Sequence, residues 1–261
     1  MLSARLACAL GVAGIAGVSA AFGTDGRKIE AAVLSRNQPQ IGRSNQLLLV
    51  TSARWDAIAA ELRCFERRNT GSAWVEVFTV PKAVLGRHGL GWGVGLHGRS
   101  AGDGPVKREG DSRAPAGVFR LVEIFGYAPR AHTGIAHFPY RHLTDDVEGV
   151  DDPASRHYNR LVTANSVGVK DWNSSEKMRQ AGEVYRWGVV VAHNWDQIPN
   201  AGSCIFLHIW ERPGEPTSGC TAMPAEQMLK VIRWLDERKN PVLVQLPREE
   251  YSHFRDAWGL P

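Results

Sequence analysis

The chain has little cysteine, four residues in 261, and none stands in a Cys-x-x-Cys pair. No His-Glu-x-x-His occurs either. The spacings that build a zinc site are therefore missing, and neither a metal nor a cofactor is expected. The glycine-rich stretch 91–98 lacks the strand–turn–helix setting of a phosphate cradle, which removes a nucleotide. Basic residues form no block, and a formal charge of +4 is too mild to argue for a nucleic-acid partner. Beyond residue 20 no apolar run approaches the ~20 residues that cross a bilayer, so stable membrane insertion is not expected. Internal repeats and low-complexity tracts are absent.

What is present begins with a short leader. Arg5 supplies a positive charge, 6–18 is apolar and uncharged, and Val18-Ser-Ala20 offers small residues for cleavage. That is the grammar of a secretory signal over 1–20, and it predicts a periplasmic or secreted, wall-associated protein. A membrane anchor is the alternative reading. Residues 21–44 are polar and aperiodic and read as a linker. A domain follows over 45–247, and 248–261 reads as a C-terminal tail. The composition of the full sequence, 43% hydrophobic and 22% charged, is that of an ordinary globular protein. Export leaves Cys64, Cys204 and Cys220. An odd count invites one disulfide and one free thiol, with Cys64 and Cys204 as the pair if Cys220 is the working thiol; the alternative is two small buried apolar residues.

Short strands are predicted over 45–51, 73–80, 91–96, 117–122, 186–192, 204–210 and 242–246 from alternation and β-branched content. Ser52 as N-cap, with Trp55, Ile58, Leu62 and Phe65 near helical spacing, predicts a helix over 53–67. A second helix is expected from Pro224, at its first position, to about Arg238, stopped by Asn240-Pro241. Many short strands with few helices predict a mainly β fold, a sandwich or barrel with peripheral helices.

The densest chemistry lies in 202–224. His208 sits on an apolar run, Pro213, Gly214 and Pro216 break the chain, and Gly219 delivers Cys220. A thiol needs a neighbouring base, because the thiolate is the nucleophile. Cys220 and His208 are thus candidate nucleophile and base. Gly219 allows close approach of backbone to substrate, and Ser218 is either a third member or a turn residue. A core histidine and an inert buried cysteine are the bland alternatives. Arg108 and Arg113 are candidate carboxylate binders. His97, at a strand end, and Trp210 are candidates for the cleft wall. His193-Asn194 reads as scaffold, and Asp151-Asp-Pro153 before Tyr158-Asn159 as a cap.

In order along the chain, Trp92-Gly-Val-Gly-Leu-His97, Lys107-Arg-Glu-Gly-Asp-Ser-Arg-Ala-Pro-Ala-Gly-Val-Phe119, Asp151-Asp-Pro-Ala-Ser155 with Tyr158-Asn159, and Ile205-Phe-Leu-His208 followed by Thr217-Ser-Gly-Cys220 resemble the L,D-transpeptidase catalytic domain family. The resemblance spans about 45–246. It implies a β-sandwich-like fold, export, and a cysteine acyl-enzyme acting on peptidoglycan stem peptides, without metal or ATP. Cys220 would attack the carbonyl of a diaminopimelate–D-alanine bond, and an amine of a second stem peptide, or of a wall-anchored protein, would take the acyl group. The chain departs from the family's commonest signature, Ser/Thr-His-Gly-Cys followed by Arg or Asn. It reads Thr217-Ser-Gly-Cys-Thr-Ala-Met223, with 209–219 alone between His208 and Cys220. The ending resembles a divergent branch, some of which cut bonds between peptidoglycan and attached protein rather than form cross-links. A peptide or amide hydrolase with the same site, and a non-catalytic peptidoglycan-binding module, are the alternatives.

Overall fold

The computed structural model describes residues 39 and 41–261. The expected leader and most of the linker lie outside them. The strands are β1 (Gln46–Ser52), β2 (Ala59–Glu66), β3 (Val75–Val84), β4 (Leu90–Trp92), β5 (Ala114–Gly126), β6 (Tyr140–His142), β7 (Val147–Val150), β8 (Arg160–Thr163), β9 (Ser175–Lys177), β10 (Trp187–Val191), β11 (Phe206–Ile209), β12 (Thr221–Met223) and β13 (Val242–Pro247). Among the described residues two α-helices follow late, α1 (Ala225–Trp234) and α2 (Arg248–Phe254). The fold is mainly β, as the punctuation of the sequence predicts.

Strand order is β10-β11-β12-β3-β2-β1-β13-β5, and β5 also pairs with β10. Its first half lies antiparallel to β13 (Val118 opposite Val244) and its second half to β10 (Ile124 opposite Val189). One long strand thus closes the sheet into a barrel, with β4 and β6 added along its length. Closure removes the free edges at which sheets otherwise pair with one another. Between β5 and β10 the chain leaves the barrel to build a small sheet, β8-β7-β9, and the 3₁₀ segment Met178–Tyr185. Phe125, Leu143, Val147, Met178, Tyr185, Val190, Cys204 and Phe206 form one buried cluster that fastens this excursion to the barrel.

The helix expected over 53–67 does not form. A turn, closed by the Ala57 amide on the Arg54 carbonyl at 3.2 Å, leads into β2, which runs antiparallel to β1 with Leu48 opposite Cys64. Ala60, Leu62 and Cys64 are buried, while Glu61 and Arg63 are more exposed. The same stretch thus carries a period of two beneath the helical spacing, and pairing with fully buried β1 selects it. The strand expected over 91–96 shortens to β4, and that over 204–210 to β11.

Helix α1 buries Met228, Val231 and Ile232 against the barrel, packing on β10 and β11. Pro224 caps it rather than entering it, and it ends at Trp234, short of Arg238. The stop comes from another element. The Gln46 amide of β1 donates to the Trp234 carbonyl at 2.8 Å and accepts from the Asp236 amide at 2.8 Å. A 3₁₀ turn, Glu237–Lys239, then closes on Asn240, which has φ +48. The stretch read as a tail contains α2, and its Phe254, Trp258 and Leu260 are buried. Cys64, Cys204 and Cys220 are all free, so the disulfide alternative is not realised; Cys64 and Cys204 are buried, the former between Leu48 and Phe78 on neighbouring strands.

Candidate active site

β11 and β12 are parallel neighbours, with Leu207 opposite Thr221 and His208 opposite Ala222. Side chains alternate along a strand, so Phe206 and His208 share one face of the sheet and Cys220 shares it with Ala222. The Phe206 amide donates to Cys220 Sγ at 3.3 Å, which fixes the cysteine beside β11. His208 and Cys220 line the same solvent-open cavity of about 440 Å³, as do Ser218, Gly219 and Trp210. Five of the eight residues anticipated for the site therefore meet in one place.

The imidazole is oriented. His208 Nδ1 lies 2.8 Å from the Ile209 carbonyl, which can only accept, so Nδ1 carries the hydrogen and Nε2 keeps its lone pair. The Tyr185 ring meets the His208 ring edge-on at 5.4 Å. His208 is 8% exposed, and burial lowers its pKa to about 4, so the ring is a neutral base at physiological pH. Burial pushes the Cys220 thiol up to about 12, with the Glu176 carboxylate adding in the same direction; the Phe206 amide and the charge of Lys107 oppose them. At rest the thiol is protonated and donates to the Cys204 carbonyl at 3.5 Å. That carbonyl belongs to a residue with φ +51, an uncommon conformation for a non-glycine residue. The Cys204 amide is held by Asn159 Oδ1 at 2.9 Å, and the Asn159 amide group donates to the carbonyls of His193 and Asn194 at 2.8 Å each.

Gly219 has φ +149, and a Cβ there would stand 3.2 Å from the Arg113 carbonyl and 3.7 Å from Lys107 Nζ. Its amide donates to Thr217 Oγ1 at 3.1 Å, and the same hydroxyl donates to the Cys220 carbonyl at 2.6 Å. Thr217 thus shapes the turn that presents the cysteine, while Ser218 is exposed at the cavity rim.

The other three anticipated residues lie elsewhere. His97 is buried: Nδ1 accepts the Val118 amide at 3.1 Å, and the ring covers Gly117 among Trp92, Phe119 and Trp258. Its environment is a core, and it does not line the cavity of Cys220 and His208. Arg113 spends Nη1 on the carbonyls of His88 and Leu90, at 2.5 and 2.8 Å, which pins the 88–90 turn. Arg108 is exposed outside the cavity, with its amide on Asp111 Oδ2 at 2.6 Å. His193 behaves as the scaffold it was read to be, with Nδ1 accepting the Val94 amide at 3.2 Å. Asp152 caps a turn through the amides of Ala154 and Asn173.

Residues not anticipated complete the wall: Arg87, Lys107, Glu109, Asp151, Glu176 and Tyr185. Burial raises the Glu176 carboxyl, which accepts from the Tyr185 hydroxyl at 2.6 Å. Glu109 Oε2 accepts from Tyr158 at 2.5 Å. Lys107, Glu109 and Asp151 lie within quoted motifs, so a signal existed. Glu176 and Tyr185 carry none, because the excursion that brings them over the barrel has no local signature.

A closed β-barrel with a cysteine and a histidine side by side on parallel strands, facing a solvent-open cavity, has the layout of a catalytic domain. The family is given by comparison: a model of the YkuD family, the L,D-transpeptidase catalytic domain, matches residues 66–244. The chain belongs to that family, whose members act on peptidoglycan stem peptides, and its catalytic function is of the L,D-transpeptidase type. No curated protein and no solved structure matches the chain. No helix among the described residues is long and apolar enough to cross a membrane.

Proposed function

We propose that the chain is an exported peptidoglycan L,D-transpeptidase working through a Cys220 acyl-enzyme, with His208 as its proton carrier. The observation that carries this reading is the shared cavity of Cys220 and His208 together with the tautomer that leaves Nε2 unprotonated. With the thiol high and the imidazole low, a resting thiolate–imidazolium pair is disfavoured. Proton transfer then accompanies attack: Sγ bonds to the carbonyl carbon as its proton passes to Nε2. His208 next returns that proton to the departing amine as the C–N bond breaks, leaving a thioester. Such positioned transfer contributes ~10²–10⁴-fold. Because the Gly219 amide is engaged by Thr217, the amides of Ser218 and Cys220 are the donors left for the oxyanion. An amine of a second stem peptide, or of a wall-anchored protein, resolves the thioester; water in its place gives hydrolysis.

The test is acylation by a carbapenem followed by intact-mass measurement. One adduct is expected on the wild-type chain, retained in Cys204→Ala and lost in Cys220→Ala. A folded wild-type chain that takes no adduct would favour the binding-module reading. Incubation with a tetrapeptide muropeptide then separates outcomes: dimers indicate transfer, and trimmed monomers hydrolysis.

A further inference from the structure

Lys107 has no part in the steps above, yet its side chain is only 3% exposed and it lines the cavity beside Gly219 and Cys220. A lysine is almost never this buried without a reason, because the ammonium loses its hydration. One glycine makes room for it: a Cβ on Gly202 would lie 3.0 Å from Lys107 Cε, while the head group stands in ordinary contact range of Gly219, 3.7 Å from where a Cβ would be. The stem thus runs beneath Gly202 and delivers the head group against the turn that carries the cysteine.

Of the three N–H groups on the ammonium, one goes to the Arg108 carbonyl at 2.7 Å and one to Asp111 Oδ1 at 2.6 Å. The charge of Asp111 is itself divided. Oδ1 also accepts the Arg113 amide at 2.9 Å, and Oδ2 accepts the Arg108 amide at 2.6 Å. Lys107 is therefore held firmly, while its counter-ion is shared among several donors.

We propose that Lys107 is a positioning and electrostatic residue whose fixed positive charge, set against the Gly219–Cys220 turn, stabilises the negative charge that develops at Cys220 during acyl transfer. This rests on the Cys220 acyl-enzyme reading. Lys107 keeps its proton throughout; the thiol proton goes to His208, and the carbonyl π pair goes to oxygen as the C–S bond forms. The other charged or titratable groups lining that cavity are Glu176, which opposes ionisation of the thiol, the further acids Glu109, Asp151, Glu211 and Glu215, Tyr185, the neutral His208, the thiol of Cys204 and the cation Arg87. Lys107 is the cation that counters Glu176 from the Gly219 side.

The experiment follows alkylation of Cys220 by iodoacetamide on the full chain between about pH 7 and about pH 10, read by intact mass, with Cys220→Ser as the blank. Lys107→Met is expected to move the pH profile up by about one unit, which lowers the rate about tenfold at a given pH below the midpoint. Lys107→Arg is expected to stay near wild type. Asp111→Asn keeps the ammonium and removes its counter-charge, so alkylation should become faster. A merely structural role for the Lys107–Asp111 pair predicts a change of the same sign in both Lys107→Met and Asp111→Asn. That result, or an unchanged profile in Lys107→Met, overturns the proposal. If Lys107→Met fails to fold, Asp111→Asn decides by its sign. A wild-type Cys220 that neither alkylates nor takes the carbapenem overturns the acyl-enzyme reading itself; a reactive Cys220 indifferent to both substitutions overturns this inference alone.

Discussion

Gly219 stands under two constraints: a positive φ and the Arg113 carbonyl, which a Cβ would meet at 3.2 Å. Gly219→Ala is expected to strain this turn by about 1–3 kcal/mol and to shift the cysteine. Carbapenem acylation should fall about tenfold or more, and the melting temperature should drop by roughly 2–4 °C for each kcal/mol of that strain. Acylation at the wild-type rate would show that the turn tolerates a side chain. At this scale much of the site was legible. Cys220, His208 and Gly219 are marked by residue type and spacing, since a nucleophile, a base and a close approach each demand particular chemistry. His97 and Arg113 misled for a physical reason. An imidazole over Gly117, or a guanidinium on two carbonyls, carries the same letters as a ligand contact, and only the fold tells them apart.

At the scale of elements, the Gln46 side chain ties one strand to the end of a helix. It is fully buried, and it joins β1 to the end of α1 through the Trp234 carbonyl and the Asp236 amide, with a third bond to Glu66 at 3.0 Å. Gln46→Ala leaves buried partners unpaired, at about 1–3 kcal/mol for each group stranded from water. Urea unfolding should show a lower midpoint with little change in slope, and an unaltered midpoint would mean that water replaces the amide. The interaction also explains why the end of α1 could not be read locally. The favourable Arg233, Arg238 and Asn240-Pro241 signals sit in the last turns, yet the stop is imposed from 188 residues upstream. The strand β2 fails as a helix on similar grounds. Its residues suit either period, and β1 supplies the partner that decides. Strands rich in β-branched residues, such as β10 and β13, were legible because pattern and packing agree there.

Taken as a whole molecule, three histidines are buried in uncharged form. Burial lowers His97 and His208 to about 4 and His193 to about 3. The unfolded chain binds these protons near pH 6.5, whereas the native barrel refuses them until the pH is far lower. Stability contributed above pH 6.5 is therefore lost as pH falls from about 6.5 toward 4, with a slope of at most roughly 4 kcal/mol per pH unit for three protons. Glu176, whose pKa is raised, offsets part of this below the usual carboxylate range. Glu148, held at about 2 by Lys177, Ser175, Trp172 and Lys170 against its own desolvation, adds a further loss at lower pH. Calorimetry between pH 8 and pH 5 should show a falling melting temperature; a flat profile would mean that these rings are solvated. The global fold was legible as mainly β, but closure was not. The pairing of β5 with both β13 and β10 is a contact between segments far apart in sequence, and no local pattern encodes it.

The parallel ladder of β11 and β12 separates two quantities that sequence spacing merges. The offset between the sulfur and the imidazole is set by which residues stand opposite one another, His208 against Ala222. The connecting segment from 210 to 220 merely has to span the strand ends. Lengthening a surface connection costs little, since closure entropy grows slowly with length. Slipping the ladder by one residue would turn the thiol to the opposite side of the sheet. The brevity of this connection is thus no handicap to the chemistry, and residues spliced near Gly214 would redraw the mouth of the cleft while leaving the reacting pair untouched. Relatives that differ in partner choice are expected to diverge most at that splice point.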